Sequence, residues 1–345
     1  MDATVAATDS ALGALLDDEL GFDATTTGRL SNHLPMALVA LHALGASDDR
    51  LIEFADRYRS RLAPLTDDEG VGSFDAWLAA RGRPGAYGPV RAYLGPLVEH
   101  DGTEAVVHRH LPHLVDGLSG AAFHGIIRLA YALESASPAR VAAGLAYLTQ
   151  VHQPLGERGR NTGDTDDPAV ALARLSDTAV AQDLAADGNI GERMRQVAAH
   201  PSFDGVVDWL VVTSDTPSLL TRAATALYAA TDDFVALHGL TASHAISIVS
   251  PYVEDTAALS SWWFQALAAA YVTIGAPRLG DPAAPVGRWL AHPSRWEDVA
   301  RAAAASDDEH VVKLVYSARE LNGRSADPLL LAAAARQAGL EPEPA

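Results

Sequence analysis

Residues 306–319 read SDDEHVVKLVYSAR. A serine is followed three positions later by a glutamate, and then by an apolar run that recurs at helical spacing. That is the signature of a capped helix start, with Ser306 as the cap and Glu309 reaching back to the free backbone N–H. The same grammar repeats along the chain. Thr216 stands before Pro217, and Ser137 before Pro138, each as a cap with proline in the first helical position. LGA at 44–46, GAP at 275–277 and LNG at 321–323 read as stops. Strand signals are few. VVDWLVVT at 206–213 is the most β-like run, yet helix suits its flanks equally well. The expectation is an all-α, compact multi-helix domain over residues 1–345, with a buried site between helices. The segment 153–168, QPLGERGRNTGDTDDP, is the one long loop, and the only place to divide the chain. No fixed-period repeat supports a solenoid.

Composition narrows the function. Of 345 residues 48% are hydrophobic, enough for a sizeable core. The formal net charge of −19 argues against nucleic acid and against anionic membrane surfaces. With no cysteine, thiol nucleophiles, iron–sulfur clusters and cysteine-bound zinc are excluded. The first twenty residues lack a basic n-region, and WWFQALAAAYVTIGA (262–276) comes nearest to a membrane span while reading better as a buried helix. A cytoplasmic protein is expected. No HExxH, no GxSxG and no GxGxxG after a strand is present, so zinc-peptidase, hydrolase and dinucleotide folds have no support.

Lys313 is the sole lysine among 25 Lys and Arg residues. Val311, Val312, Leu314 and Val315 flank it, so the ammonium belongs to a helix that is apolar nearly all round. Burial lowers a lysine pKa, and arginine cannot substitute where a neutral amine is needed. A neutral amine forms a Schiff base with a carbonyl or takes up carbon dioxide to become a carbamate, an anionic oxygen ligand. The bland reading is a lysine that reaches solvent or pairs with an acid.

Thirteen histidines accompany it. His100, His108, His110 and His113 read as surface or structural, and His152, His200 and His292 as caps. His33, His124, His238, His244 and His310 lie in apolar, small-residue surroundings, where each imidazole needs a partner. Each alone reads as a satisfied core residue; five together point to a common polar centre. His310 and Lys313 share a helix face, which Ser317 continues. His124, Arg128 and Tyr131 line a second stripe. Arg128 has an alternative in a buried ion pair, with Glu134 or with an acid distant in sequence. His238 and His244 sit about 120° apart on a straight helix, so one of them is expected to stand back from any shared ligand. Histidines with a carboxylate-like oxygen suit iron, zinc, copper or nickel.

Four blocks, SNHLPMALVALHALGAS (31–47), AAFHGIIRLAYALES (121–135), ALHGLTASHAISIVSPYV (236–253) and DDEHVVKLVYSARE (307–320), resemble the questin oxidase-like family in order and spacing. The resemblance implies an oxygenase of aromatic polyketide metabolism, performing ring cleavage or Baeyer–Villiger-type oxygen insertion on a quinone-like substrate. It further implies non-haem Fe(II) held by His33, His124, His310, one or both of His238 and His244, and a carboxylated Lys313. Met36 departs from the pattern, since many fungal relatives carry a histidine there. On this reading Arg128 and Tyr131 hold a phenolate or quinone oxygen of the substrate. A dioxygenase needs no further cofactor, whereas a monooxygenase draws two electrons from outside, with NADPH as one source. The rival readings are a metal-free lysine-dependent enzyme and a non-catalytic helical binding protein.

Overall fold

The computed structural model describes residues 11–66, 69–157, 163–183 and 187–342. Among them are eighteen α-helices, six short 3-10 turns and one two-stranded antiparallel sheet, Phe22–Thr26 with Leu62–Pro64. The fold is all-α, as the apolar periodicity predicts.

Four helices position the site: Leu34–Ala43, His124–Glu134, Phe234–Val249 and Glu309–Ser325. Leu34–Ala43 packs on His124–Glu134, which packs on Phe234–Val249, which packs on Glu309–Ser325, which returns to Leu34–Ala43. The ring is closed. All four run in the same direction: their first turns meet at one end, Tyr131, His244 and Tyr316 of three of them meet about two turns further on with ring centroids 5.3–6.2 Å apart, and Ala43 at the end of the fourth accepts from Arg319 at 2.8 Å. Their apolar content explains their depth: Phe234–Val249 is buried on nearly every face. By length and composition Phe234–Tyr252 is also long and apolar enough to cross a membrane, but 72% of that window lies inside the protein. Among the described residues this stretch, and not 262–276, is the one that passes on length and composition. The latter falls mostly in the buried helix Thr256–Thr273.

A tight seam fixes the start of the His124 helix. A Cβ on Gly120 would lie 1.7 Å from the Val151 carbonyl oxygen, and one on Gly144 would lie 2.9 Å from Leu129 Cα. Only hydrogen at these positions lets Pro138–Gln150 approach so closely.

Several local expectations shift. The cap of Glu309–Ser325 is Asp308, whose carboxylate accepts from His310 N–H at 2.8 Å, and not Ser306. Ser306 accepts instead from Asp308 N–H. Thr216 is the first helical residue and Asp215 occupies the cap position. The helix does not stop at LNG: Gly323 lies inside it, and the turn comes at Ala326, in the left-handed region. Val206–Trp209 is a 3-10 turn, and Leu210 adds only a single bridge to Thr165. Of the loop 153–168, residues 158–162 lie outside the described residues, and a helix starts at Pro168.

Candidate metal centre

The four imidazoles His33, His124, His238 and His310 form a closed circuit. His33 stacks on His124 at 4.5 Å between centroids, His124 meets His238 at 4.8 Å, His238 meets His310 at 5.6 Å, and His310 meets His33 at 4.9 Å. Each comes from the beginning of a helix. His33 is the residue before Leu34–Ala43, His124 is the first of its helix, His310 the second, and His238 the fifth. Converging helix N-termini put partial positive charge at this end of the ring, which favours neutral imidazoles and anionic ligands.

The tautomers follow from the hydrogen bonds. His124 Nδ1 meets the Ala121 carbonyl at 2.5 Å, and His238 Nδ1 meets the Phe234 carbonyl at 2.7 Å. A carbonyl only accepts, so Nδ1 carries the proton in both and Nε2 presents its lone pair. His310 Nδ1 donates in the same way to Asp308 at 3.1 Å, and His33 Nδ1 to Glu309 at 3.3 Å. The Nε2 atoms of His124, His238 and His310 are buried and have no hydrogen-bond partner. Anchored Nδ1 with a bare, buried Nε2 is the arrangement of a metal-binding histidine.

Electrostatics agree. Burial, reinforced by Lys313, pushes His33 well below the ordinary histidine range. Burial and then His33 do the same for His124. Burial and then Lys313 bring His238 to about 3. These three are neutral bases at neutral pH. Lys313 is 2% exposed. Burial draws its pKa down from 10.5 to about 7, against the opposing pull of Glu309 and Asp308.

The carbonyl that anchors His124 comes from an unusual segment. Ala121, Ala122 and Phe123 all have positive φ, at 51°, 55° and 67°. Three successive non-glycine residues in the left-handed region cost about 1–2 kcal/mol each, and strain of this kind collects at functional sites. Here it aims the Ala121 carbonyl at His124.

Glu309 was read from the sequence as part of a capping box. In the fold it turns away from the helix start and is largely buried, accepting from His33 and from Arg61 Nη1 at 2.9 Å. Donor atoms of His33, His310 and Glu309 lie within 4.8 Å of one another. A hollow of about 400 Å³ opens onto the centre. His33, His124, His238, His310 and Glu309 form one part of its wall, and Leu30, Val151, Ile190 and Phe234 the apolar remainder. That volume suits a drug-sized ligand. Phe234 is 52% exposed and Leu30 61%, yet Phe234 presents its ring to His238 and His310 at 4.6 and 4.7 Å.

Three expected residues sit elsewhere. His244 lies two turns along its helix from the imidazole circuit, beside Tyr131 and Tyr316, with Nε2 3.8 Å from Glu134. The six-residue offset from His238 turns it away, in a helix that runs unbroken from Phe234 to Val249. Arg128 is buried in an ion pair with Glu19 at 2.7 Å, an acid 109 positions away. Tyr131 exchanges a hydrogen bond with Ser317 at 3.3 Å. Neither Arg128 nor Tyr131 reaches the histidine hollow; both line a separate void of about 20 Å³. The structure therefore places the two side chains apart from the histidine hollow. Met36 also faces it.

The sequence profile of the family described as questin oxidase-like matches residues 30–318. The chain belongs to the questin oxidase-like family. The match takes in all four imidazoles of the circuit and Lys313. No curated protein matches the chain. Membership of the questin oxidase-like family points to an oxidase of polyketide metabolism, and so to a small-molecule substrate.

Proposed function

We propose that this questin oxidase-like protein is a non-haem iron oxygenase acting on an aromatic polyketide or quinone-like substrate. One observation carries the reading: four imidazoles, each with Nδ1 fixed by an acceptor, close on one another near a buried lysine and beneath a hollow of ligand size. The donor set fits a divalent transition ion, since the buried Nε2 lone pairs of His124, His238 and His310 have no other use in the fold. His33, His124, His238 and His310 would hold it, with Lys313 as a carbamate. Ferrous iron bound there supplies the one-electron chemistry that lets dioxygen react with an aromatic ring.

The protein's own groups do the rest. At pH 7 a lysine with a pKa of 10.5 is neutral roughly once in 3,000 molecules, whereas one with a pKa near 7 is neutral about half the time. Only the neutral amine takes up carbon dioxide, so burial of Lys313 prepares it for carboxylation. Glu309 fixes the His33 ring and is itself held by Arg61. Phe234, Leu30, Ile190 and Val151 offer flat apolar surface to an aromatic substrate and keep water from it. A second hollow of about 390 Å³ shares Ala121, Val151, Asn189 and Gly191 with the first, which gives a fused-ring substrate room to extend. In a monooxygenase outcome an external reductant such as NADPH delivers the two electrons.

The test is elemental analysis of untagged protein, wild type beside Lys313→Arg. Iron, or another divalent metal in its place, is expected in the wild type and much less in the variant; equal metal in both removes Lys313 from the ligand set. A second reading, a metal-free Schiff-base enzyme, draws on the same buried amine. Borohydride trapping of a carbonyl substrate on Lys313, in protein without metal, would establish it.

A further inference from the structure

The wall of the histidine hollow carries a charge pattern opposite to that of the whole chain. The protein has 44 acidic against 25 basic residues. Arg29, Arg61 and Arg193 nevertheless line this hollow, and Glu309 is the one acid beside them. Arg61 is spoken for, bonded to Glu309 at 2.9 Å and lying over the Tyr58 ring at 4.3 Å. Arg29 and Arg193 enter no ion pair among the described residues. The buried guanidinium groups Arg128 and Arg140 are matched with acids, Glu19 and Asp17, whereas Arg81 and Arg91 are spent on backbone carbonyls.

The backbone of Arg29 and the guanidinium of Arg193 are held in place. Arg29 stands at the tip of a turn, with φ at 61° and its N–H on the Thr26 carbonyl at 2.8 Å. Arg193 is half-buried in the helix Ile190–Ala198; its Nη1 donates to the Thr273 carbonyl at 3.3 Å, and its Nε is buried with no partner. A buried donor without an acceptor is costly. Apolar Leu30 follows Arg29 directly, Ile190 lies one helical turn before Arg193, and both face the same hollow. A ligand that satisfies this wall is a flat apolar ring bearing a negatively charged, planar oxygen group, for which the guanidinium fork is the matching donor.

We propose that the substrate is an aromatic carboxylate, and that Arg29 and Arg193 bind its carboxyl group at the mouth of the hollow. The proposal rests on the aromatic-substrate reading above. The local positive charge also draws such an anion toward a protein that is negative as a whole.

The experiment is isothermal titration of the full chain, as purified, with 1-hydroxy-2-naphthoate and with its methyl ester. Arg29→Gln and Arg193→Gln are measured alongside, and the metal content of every sample is determined. The acid is expected to bind at least about ten-fold more tightly than the ester. Each substitution is expected to weaken the acid by about ten-fold, leaving the ester and the metal content unchanged. Equal binding of acid and ester, acid binding unaltered by both substitutions, or no binding of either probe overturns the proposal. Arg29 is exposed, so its replacement leaves the fold intact and keeps the test decisive. Metal content separates the two claims. Wild type and Lys313→Arg with equal metal would remove the ligand role and leave the carboxylate subsite standing; loss of acid preference with metal retained would do the reverse.

Discussion

Substituting methionine for Lys313 is expected to stabilise the metal-free protein. The amine is 2% exposed, and burial takes its pKa from 10.5 to about 7. Between those values the unfolded chain binds a proton that the folded chain does not, so stability rises with pH across the window. Below about pH 7 both states are protonated and the penalty for the buried ammonium is complete; above about 10.5 it has gone. At about 1.4 kcal/mol per pH unit, the penalty has a ceiling of about 5 kcal/mol at pH 6 and falls to about 1–2 kcal/mol at pH 9.5. Methionine keeps the unbranched shape and carries no charge, so packing changes little. The assay is urea unfolding of chelator-treated wild type and Lys313→Met at several pH values between about 6 and 9.5. The variant should be the more stable at low pH, with the gap closing as pH rises. A variant less stable than wild type at pH 6, or a gap that does not change with pH, would show that the amine is solvated or paired, and the argument for a poised neutral lysine would fail.

Glu309→Gln weakens the acceptor that orients His33 and releases Arg61. Metal affinity is expected to fall by about 10–100-fold, with the helical circular dichroism spectrum unchanged. Arg128→Met leaves the Glu19 carboxylate buried without its cation, with only the Asn32 amide donating to it, which costs about 3–5 kcal/mol in denaturant unfolding. The double variant with Glu19→Leu should recover most of that loss, whereas a substrate-binding role for Arg128 would show in KM and not in stability. Burial raises the Glu134 pKa from 4.5 to about 7. The folded protein therefore holds a proton that the unfolded chain releases, and stability falls as pH rises from about 4.5 to 7. Glu134→Gln should flatten that decline in thermal melts and gain most above pH 7.

The helices and the histidine centre were legible because their signals are local. Proline after a cap, glycine after a helix and imidazoles set among valine and alanine need no knowledge of the partner helix. His238 and His244 show where local reading stops. Their flanks are alike and the angle between them was available, but only the packed neighbours decide which side faces the circuit. Glu309 was misread because a nearby capping pattern explained it cheaply, whereas its actual partners, His33 and Arg61, come from 276 and 248 positions away. For Arg128 a buried ion pair with a distant acid was among the readings, but its partner Glu19, on the first described helix, could not be named from local signals. The left-handed run at 121–123 gave no sign at all, since alanine and phenylalanine do not mark positive φ as glycine does.

Lys313 is the lone lysine of the chain, and it is buried close enough to His33, His124 and His238 for its charge to act on them. Protein grown on isotopically enriched lysine therefore reports on one side chain, free of overlap, at the point of interest. Enriched bicarbonate added to that sample would mark the same nitrogen from the other side. The fold thus contains its own spectroscopic probe, and the amine, the ammonium and the carbamate can be told apart in the intact protein without altering a residue.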